Sequence, residues 1–190
     1  MNFKHLIVTV LAATATSAFA ADTYAIDPSH TFPSFEADHM GGLSTFRGKF
    51  TKTSGTIVLD RAAKTGSLDI TIDATTLDFG HEKMNNHAKN KDMFDVTQFP
   101  TVTYKSKSIT FNGDTPVAVN GEMTLHGVTK PLTLTINKFK CIQHPMLKRE
   151  VCGADASAEF NRGDYGIGYG LQMGFLPTVK LAIQVEAVKQ

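Results

Sequence analysis

Histidines, a cysteine pair and a glycine-rich run are the parts of this chain that could do chemistry, and their spacing limits what they can do. His81-Glu82-Lys83-Met84-Asn85 starts as a zinc-peptidase helix does. That chemistry needs imidazoles one helical turn apart, and the second position holds Asn85. A metalloprotease is therefore not expected, nor is any other metal site. Asp27, Ser29 and His30 lie close in sequence, but such clusters commonly serve turns and caps rather than nucleophilic triads. His30 and His39 are nine apart on what reads as one extended strand through Phe35, and an odd separation puts them on opposite faces. A hydrogen bond at a sheet rim is the plain reading of a histidine there, and contact with a ligand headgroup is the other. The run Gly163-x-x-Gly166-x-Gly168-x-Gly170 lacks the lysine and the following helix of a phosphate loop. With no G-x-S-x-G elbow either, the chain reads as a non-enzyme with no catalytic residues and no catalytic cofactor.

The cysteines depend on the compartment. Residues 1–20 carry a basic start at Lys4 and His5, an apolar run from Leu6 to Ala13, and Ala18-Phe19-Ala20 before Ala21, which reads as a signal peptide cleaved after Ala20. There is no twin-arginine pair, and no cysteine follows the leader to accept a lipid. For a bacterial source, Sec-type export to the periplasm follows. Cys141 and Cys152, eleven apart and without C-x2-C spacing, then read as a structural disulfide worth roughly 3 kcal/mol in the chain-entropy picture.

Removing Lys4 with the leader leaves 18 basic residues against 18 acidic ones, a balance that gives nucleic acid no footing. No later segment has the roughly 18 consecutive apolar residues a membrane helix needs, so an integral membrane protein is not expected. Residues 21–190 have the length of one domain.

What positions the side chains is strand alternation. Leu68, Ile70 and Ile72 alternate with polar residues, as do Val102 and Tyr104, then Leu132, Leu134 and Ile136, then Val179, Leu181, Ile183 and Val185. Each is a period-two strand with one buried face. Turn signals at Asp60 to Gly66, Asn112-Gly113-Asp114 and Gly127 to Pro131 leave no room for crossover helices. About eight antiparallel strands are expected. Glu82 to Phe94 lacks β-branched residues and reads as a short helix over one opening. Gly163 to Gly174 reads as a flexible rim loop.

One-sided strands allow a sandwich or a closed barrel. Small residues at Ala154, Ala156 and Ala158 on one parity leave space inside and favour a barrel around a cavity, unless Phe46 or Phe111 fills it. Thirteen Phe and seven Met without a single Trp suit a soft lining for a long hydrocarbon, and equally suit a dry core.

An ordered set of motifs resembles the YceI-like periplasmic proteins: Tyr24-x-Ile26-Asp27-x-x-His30-Thr31, Phe35, His39-Met40, Phe46-x-Gly48-x-Phe50, Phe94-Asp95-Val96 with Phe99-Pro100, Gly121 through His126-Gly127 to Pro131, and Asp164-Tyr165-Gly166. The resemblance implies a mainly β fold, an extended lipocalin-like antiparallel barrel with a helix at one end. Its apolar channel holds a polyisoprenoid, an isoprenoid quinone such as ubiquinone, or a fatty amide. It also implies lipid carriage, storage or a stress response rather than catalysis. Lacking tryptophan, the chain is lipocalin-like in architecture only, and the Cys141 to Cys152 insert departs from many family members, forming a disulfide-closed hairpin.

Contact residues do not transfer as a motif, so inward parity nominates the channel wall: Phe35, Phe46, Phe50, Ile70, Ile72, Met84, Phe94, Phe99, Val102, Phe111, Leu134, Phe160, Tyr165, Phe175 and Leu181. Other readings stay open: a fatty-acid or fatty-amide binder, a barrel enzyme whose interior histidines His30, His39 or His126 meet an acid, and a surface or adhesive module. Pairing into a homodimer stays open as well.

Overall fold

The computed structural model describes residues 21–190; the expected signal peptide, 1–20, lies outside the described residues. Its elements are strands β1 (Asp22–Ile26), β2 (Phe32–His39), β3 (Ser44–Phe50), β4 (Thr53–Asp60), β5 (Thr65–Asp73) and β6 (Leu77–Asp78), helix α1 (Glu82–Lys89), then β7 (Thr101–Asn112), β8 (Thr115–Leu125), β9 (Val128–Gln143), β10 (Glu150–Asn161) and β11 (Thr178–Lys189). All pairings are antiparallel, and β1 closes the sheet by pairing with both β4 and β11.

Eleven strands make eight barrel staves because three staves are interrupted at one level. Strands β1 and β2 both lie along β11, which pairs Ala25 with Val188 and Phe35 with Leu181. Between them the chain turns away, and Thr31 substitutes for the lost ladder: its hydroxyl donates to the Glu186 carbonyl and accepts from the Glu186 amide, both at 3.1 Å. The β3–β4 break is bridged by Thr76, whose Oγ1 accepts from the amides of Thr51 and Lys52 at 3.2 Å. The β5–β6 break is a 3-10 turn, Ala74–Thr76, capped by the Asp73 carboxylate. Above these breaks β6 pairs only with β3, and the gap before β7 is filled by residues 79–100. Fully buried Ala88 of α1, with Phe79, Met93, Phe94 and Val96, packs there on the barrel core.

Helix α1 is shorter than the composition suggested. His81 Nδ1 accepts from the Met84 amide as its N-cap, and Asn90 is extended, so the chain turns back before Phe94. Pro131 lies inside β9 rather than in a turn. Only β8 pairs with it, because the β10 ladder starts at Thr135, and a strand tolerates proline where one side is unpaired. The turn itself is His126-Gly127, both at positive φ, the combination a two-residue hairpin demands. The run Gly163 to Gly174 holds two 3-10 turns, Arg162–Tyr165 and Leu171–Met173, with left-handed glycines at their ends. Cys141 and Cys152 stand opposite each other on β9 and β10 and form a disulfide.

Candidate functional site

Because side chains alternate across each stave, one parity faces inward, and the barrel encloses a cavity of about 460 Å³. That volume lies within the range of small-molecule sites. The lining is almost wholly hydrocarbon. Ile57 and Leu59 of β4, Leu68, Ile70 and Ile72 of β5, Val102 of β7, and Val119, Met123 and Leu125 of β8 form one side. Leu132 and Leu134 of β9, Ala154, Ala156 and Phe160 of β10, and Val179, Leu181 and Ile183 of β11 form the other. Phe35 meets Phe79 edge-on at 5.5 Å between centroids, and Phe50 meets Phe94 at 5.9 Å, so aromatic rings make the wall near α1. The small residues at Ala154 and Ala156 leave their share of the interior open, while Ala158 packs on the core without reaching the cavity.

Most of the residues nominated by parity line this cavity: Phe35, Phe46, Phe50, Ile70, Ile72, Met84, Phe94, Val102, Leu134, Phe160, Phe175 and Leu181. Phe99, Phe111 and Tyr165 do not, which corrects the expectation for those three. The Phe99 ring lies 4.4 Å from that of His126, tilted by 56°, and His126 Nδ1 lies 3.1 Å from the carbonyl oxygen of Tyr165. The Phe99 ring and the Tyr165 backbone therefore brace the His126-Gly127 hairpin, while the Tyr165 ring sits edge-on behind Phe160 at 5.3 Å. One register shift, at Ser106/Ser108, adds a residue to β7 and the other, at Thr110/Phe111, adds one to β8, so Phe111 keeps the parity of the cavity-lining Ile109 but lies beyond the cavity. It packs instead against the apolar cluster at the far end.

A similar irregularity where β9 meets Asp155 and Ala156 turns Phe139 into the cavity, which strict alternation missed. Val119, Met123 and Leu125 were missed too, although their odd parity along β8 was readable.

Polar groups gather at the α1 end. Asp38, His39, His87, Arg162 and Tyr169 all border the cavity there. His39 stacks on Phe46 at 4.3 Å, and His87 meets Tyr169 edge-on at 4.8 Å. Arg162 is 8% exposed, and its Nη1 donates to the Ile167 carbonyl at 2.9 Å. Burial pushes its guanidinium below the ordinary arginine range, opposed by the charge of Asp38. No carboxylate lies within ion-pair distance of it among the described residues. A guanidinium has five donors and stays charged in proteins, so this one presents unused donors beside an apolar space. Deeper in, the Thr53 hydroxyl is buried against the cavity without a partner. The Tyr104 hydroxyl, by contrast, is satisfied at the Val119 and Leu132 carbonyls, and burial lifts its pKa to about 12.

The histidines do not converge. His30 lies outside β2, on the exposed turn between β1 and β2, so its parity relation to His39 does not arise. Its Nδ1 is 2.8 Å from Asp27 Oδ2, and Ser29 approaches that same nitrogen while its hydroxyl donates to Asp27. A triad needs the serine and the acid on opposite ring nitrogens. Here one nitrogen meets both, and the trio is a side-chain-closed turn. Asp27, His30 and Glu186 place ligand atoms within 4.8 Å of one another, but Asp27 is already occupied by Ser29 and His30.

The far end is closed by Tyr24, Ile26, Leu59, Cys152 and Ala187, all buried. The Tyr24 hydroxyl donates to Glu150, which also pairs with Arg61 at 3.3 Å.

Comparison with known proteins finds the YceI-like domain matching residues 24–187. Protein YceI of Shigella flexneri is 32% identical over 179 residues, covering 93% of this chain and 91% of that protein. Among solved structures, Burkholderia cenocepacia BcnA superposes with a TM-score of 0.67 at 21% identity, over 82% of this chain and 95% of that one. A polyisoprenoid-binding domain from Saccharophagus degradans, implicated in plant cell wall breakdown, superposes with a TM-score of 0.62 at 14% identity, over 88% and 98%.

Proposed function

This chain belongs to the YceI-like family, and from that starting point we propose that it binds a long-chain isoprenoid lipid in its barrel and carries or stores it in the periplasm. The ligand is a polyisoprenoid or an isoprenoid quinone such as ubiquinone. One observation carries the reading: the interior is a cavity of about 460 Å³ walled by hydrocarbon, not a packed core. Each methylene moved from water into such a space gains about 0.8 kcal/mol, so a long chain binds tightly with few polar contacts. The polyisoprenoid-binding domain of Saccharophagus degradans, which shares the fold, points to the same ligand class.

Arg162 orients the ligand. A buried cation with free donors at the α1 end takes a carbonyl or anionic headgroup, while the chain runs toward Tyr24. The disulfide and the leader pattern of residues 1–20 support an oxidising, exported location. A fatty acid or fatty amide is the second reading, because it satisfies the same wall and the same guanidinium.

Native mass spectrometry of the protein purified from its own periplasm, followed by organic extraction, tests this. A stoichiometric isoprenoid or quinone is the expected result. A bound fatty amide replaces the ligand class, and empty protein that ignores added quinones overturns the reading. The same spectra report whether two chains pair.

A further inference from the structure

Charged residues make up 19% of this chain, yet residues 39–46 and 165–178 contain no Asp, Glu, Lys or Arg. These are the β2–β3 connection and the connection from β10 to β11, and they lie side by side. Gly41 faces the Gly174 carbonyl so closely that a Cβ there would sit 3.0 Å from it. Asp38 ties the two together: its carboxylate accepts from the amides of Gly41 at 2.8 Å and Gly42 at 2.6 Å in one loop, and of Leu176 at 2.9 Å in the other. Their tips are apolar and solvent-facing, with Leu43 74%, Met173 60%, Met40 56% and Leu176 53% exposed. Tyr169 and Phe175 of the same segment border the cavity, so the exposed ring of hydrocarbon is continuous with the barrel interior.

We propose that these two loops are a docking face for the surface of a lipid bilayer, through which ligand passes between membrane and barrel without crossing water. This rests on the lipid-binding reading. An exposed apolar patch marks a protein or a membrane contact, and one whose own segment lines an apolar cavity favours the membrane, from which a lipid would come. Loop stretches without Asp, Glu, Lys or Arg match the neutral boundary between headgroup and acyl chain, and an amphipathic tyrosine beside them is the residue type enriched there. Asp38 is the positioning residue, holding both loops in one platform.

The test uses the protein, a Leu43→Asp/Leu176→Asp variant and phosphatidylcholine vesicles with or without a polyprenol. Neither leucine lines the cavity. Flotation with vesicles, the rate of polyprenol uptake from vesicles, and equilibrium binding of detergent-dispersed polyprenol are measured separately. Burying two leucines is worth roughly a hundredfold in partitioning, so flotation and uptake rate are expected to fall by about that factor while detergent-dispersed binding holds. A wild-type protein that does not float overturns the proposal, as does a variant that floats and loads like wild type. A wild-type dimer dispersed by the same substitutions overturns it in favour of a second copy. Loss of detergent-dispersed binding in the wild type would strike the lipid reading instead.

Discussion

Ala156 is the most direct handle on the cavity. It is 7% exposed, borders the open space, and pairs across the sheet with Ile136 and Ile183. Ala156→Phe adds a phenyl ring on the inward face. In a packed core that would overpack and cost 1–3 kcal/mol, but here the ring enters a space of about 460 Å³. The ring displaces about five ligand methylenes at ~0.8 kcal/mol each, or ~4 kcal/mol, which is about a thousandfold in Kd. Stability should hold or rise, since the ring buries apolar surface the alanine leaves open. Isothermal titration with a polyprenol and a thermal melt, run in parallel, separate the two effects. Unchanged affinity would mean that ligand does not use this part of the cavity. A variant that unfolds would mean that the space is not available to a side chain.

Four further outcomes follow from the same geometry. Arg162→Met is expected to weaken binding of a quinone or other polar-headed isoprenoid by ~2 kcal/mol while leaving a hydrocarbon of equal length unaffected, measured by competition titration. Replacing both Cys141 and Cys152 with Ser should cost ~3 kcal/mol, seen as a lower urea midpoint with a slope equal to or slightly above that of the parent, because the uncrosslinked denatured chain exposes more surface. Gly55→Ala should destabilise by about 3 kcal/mol or more, because φ is +137° and the new Cβ would lie 2.2 Å from the Asp69 carbonyl oxygen, whereas Gly168→Ala meets nothing within 4 Å and serves as control. The amide of Leu176, then those of Gly41 and Gly42, hold Asp38 below its ordinary 3.8, so its tether is complete above that value and is lost as pH falls through the lowered one. Amide-exchange protection at Leu176 should accordingly persist at neutral pH and weaken only in stronger acid, and Asp38→Ala, which removes the acceptor, should abolish it at any pH.

Legibility in the sequence followed regularity. Where a stave keeps strict alternation, as at Leu68, Ile70 and Ile72 or at Leu181 and Ile183, parity alone put the right side chains inside. Where a bulge adds a residue, parity reverses with no signal in composition, and Phe139 went unseen; Phe111 shares the parity of Ile109 but lies past the cavity, at the far-end cluster, a distance along the strand that parity does not report. The ordered motifs were legible as a resemblance, but several encode corners rather than contacts. Thr31 repairs the β1–β2 break, and Phe99, His126 and Tyr165 brace one hairpin. Arg162 was not found, because one arginine beside a glycine-rich loop looks solvated until the fold buries it.

The two ends of the barrel differ in a way that gives the ligand a direction. At the far end, buried Tyr24 is tied to Glu150 and Arg61, the disulfide cross-links β9 to β10 beside it, and Lys189 pairs with Asp22 at 2.7 Å. Opening a path there means breaking charged contacts and a covalent bond. At the other end three staves are interrupted at one level, leaving β6 unpaired with β7, and the gap is filled by α1 and by side chains such as Met84, Met93 and Phe94. Those contacts are apolar and adaptable, and methionine repacks at small cost. On the proposed lipid-binding function, a chain-like ligand would therefore enter past α1 hydrocarbon first, keep its polar head nearest Arg162, and leave head first by the same route. Cross-linking α1 to the barrel through Lys89→Cys, a helix position outside the cavity lining, with a cysteine on the facing loop should slow exchange without lowering affinity. If exchange is as fast in the cross-linked protein as in its reduced form, the entry lies elsewhere.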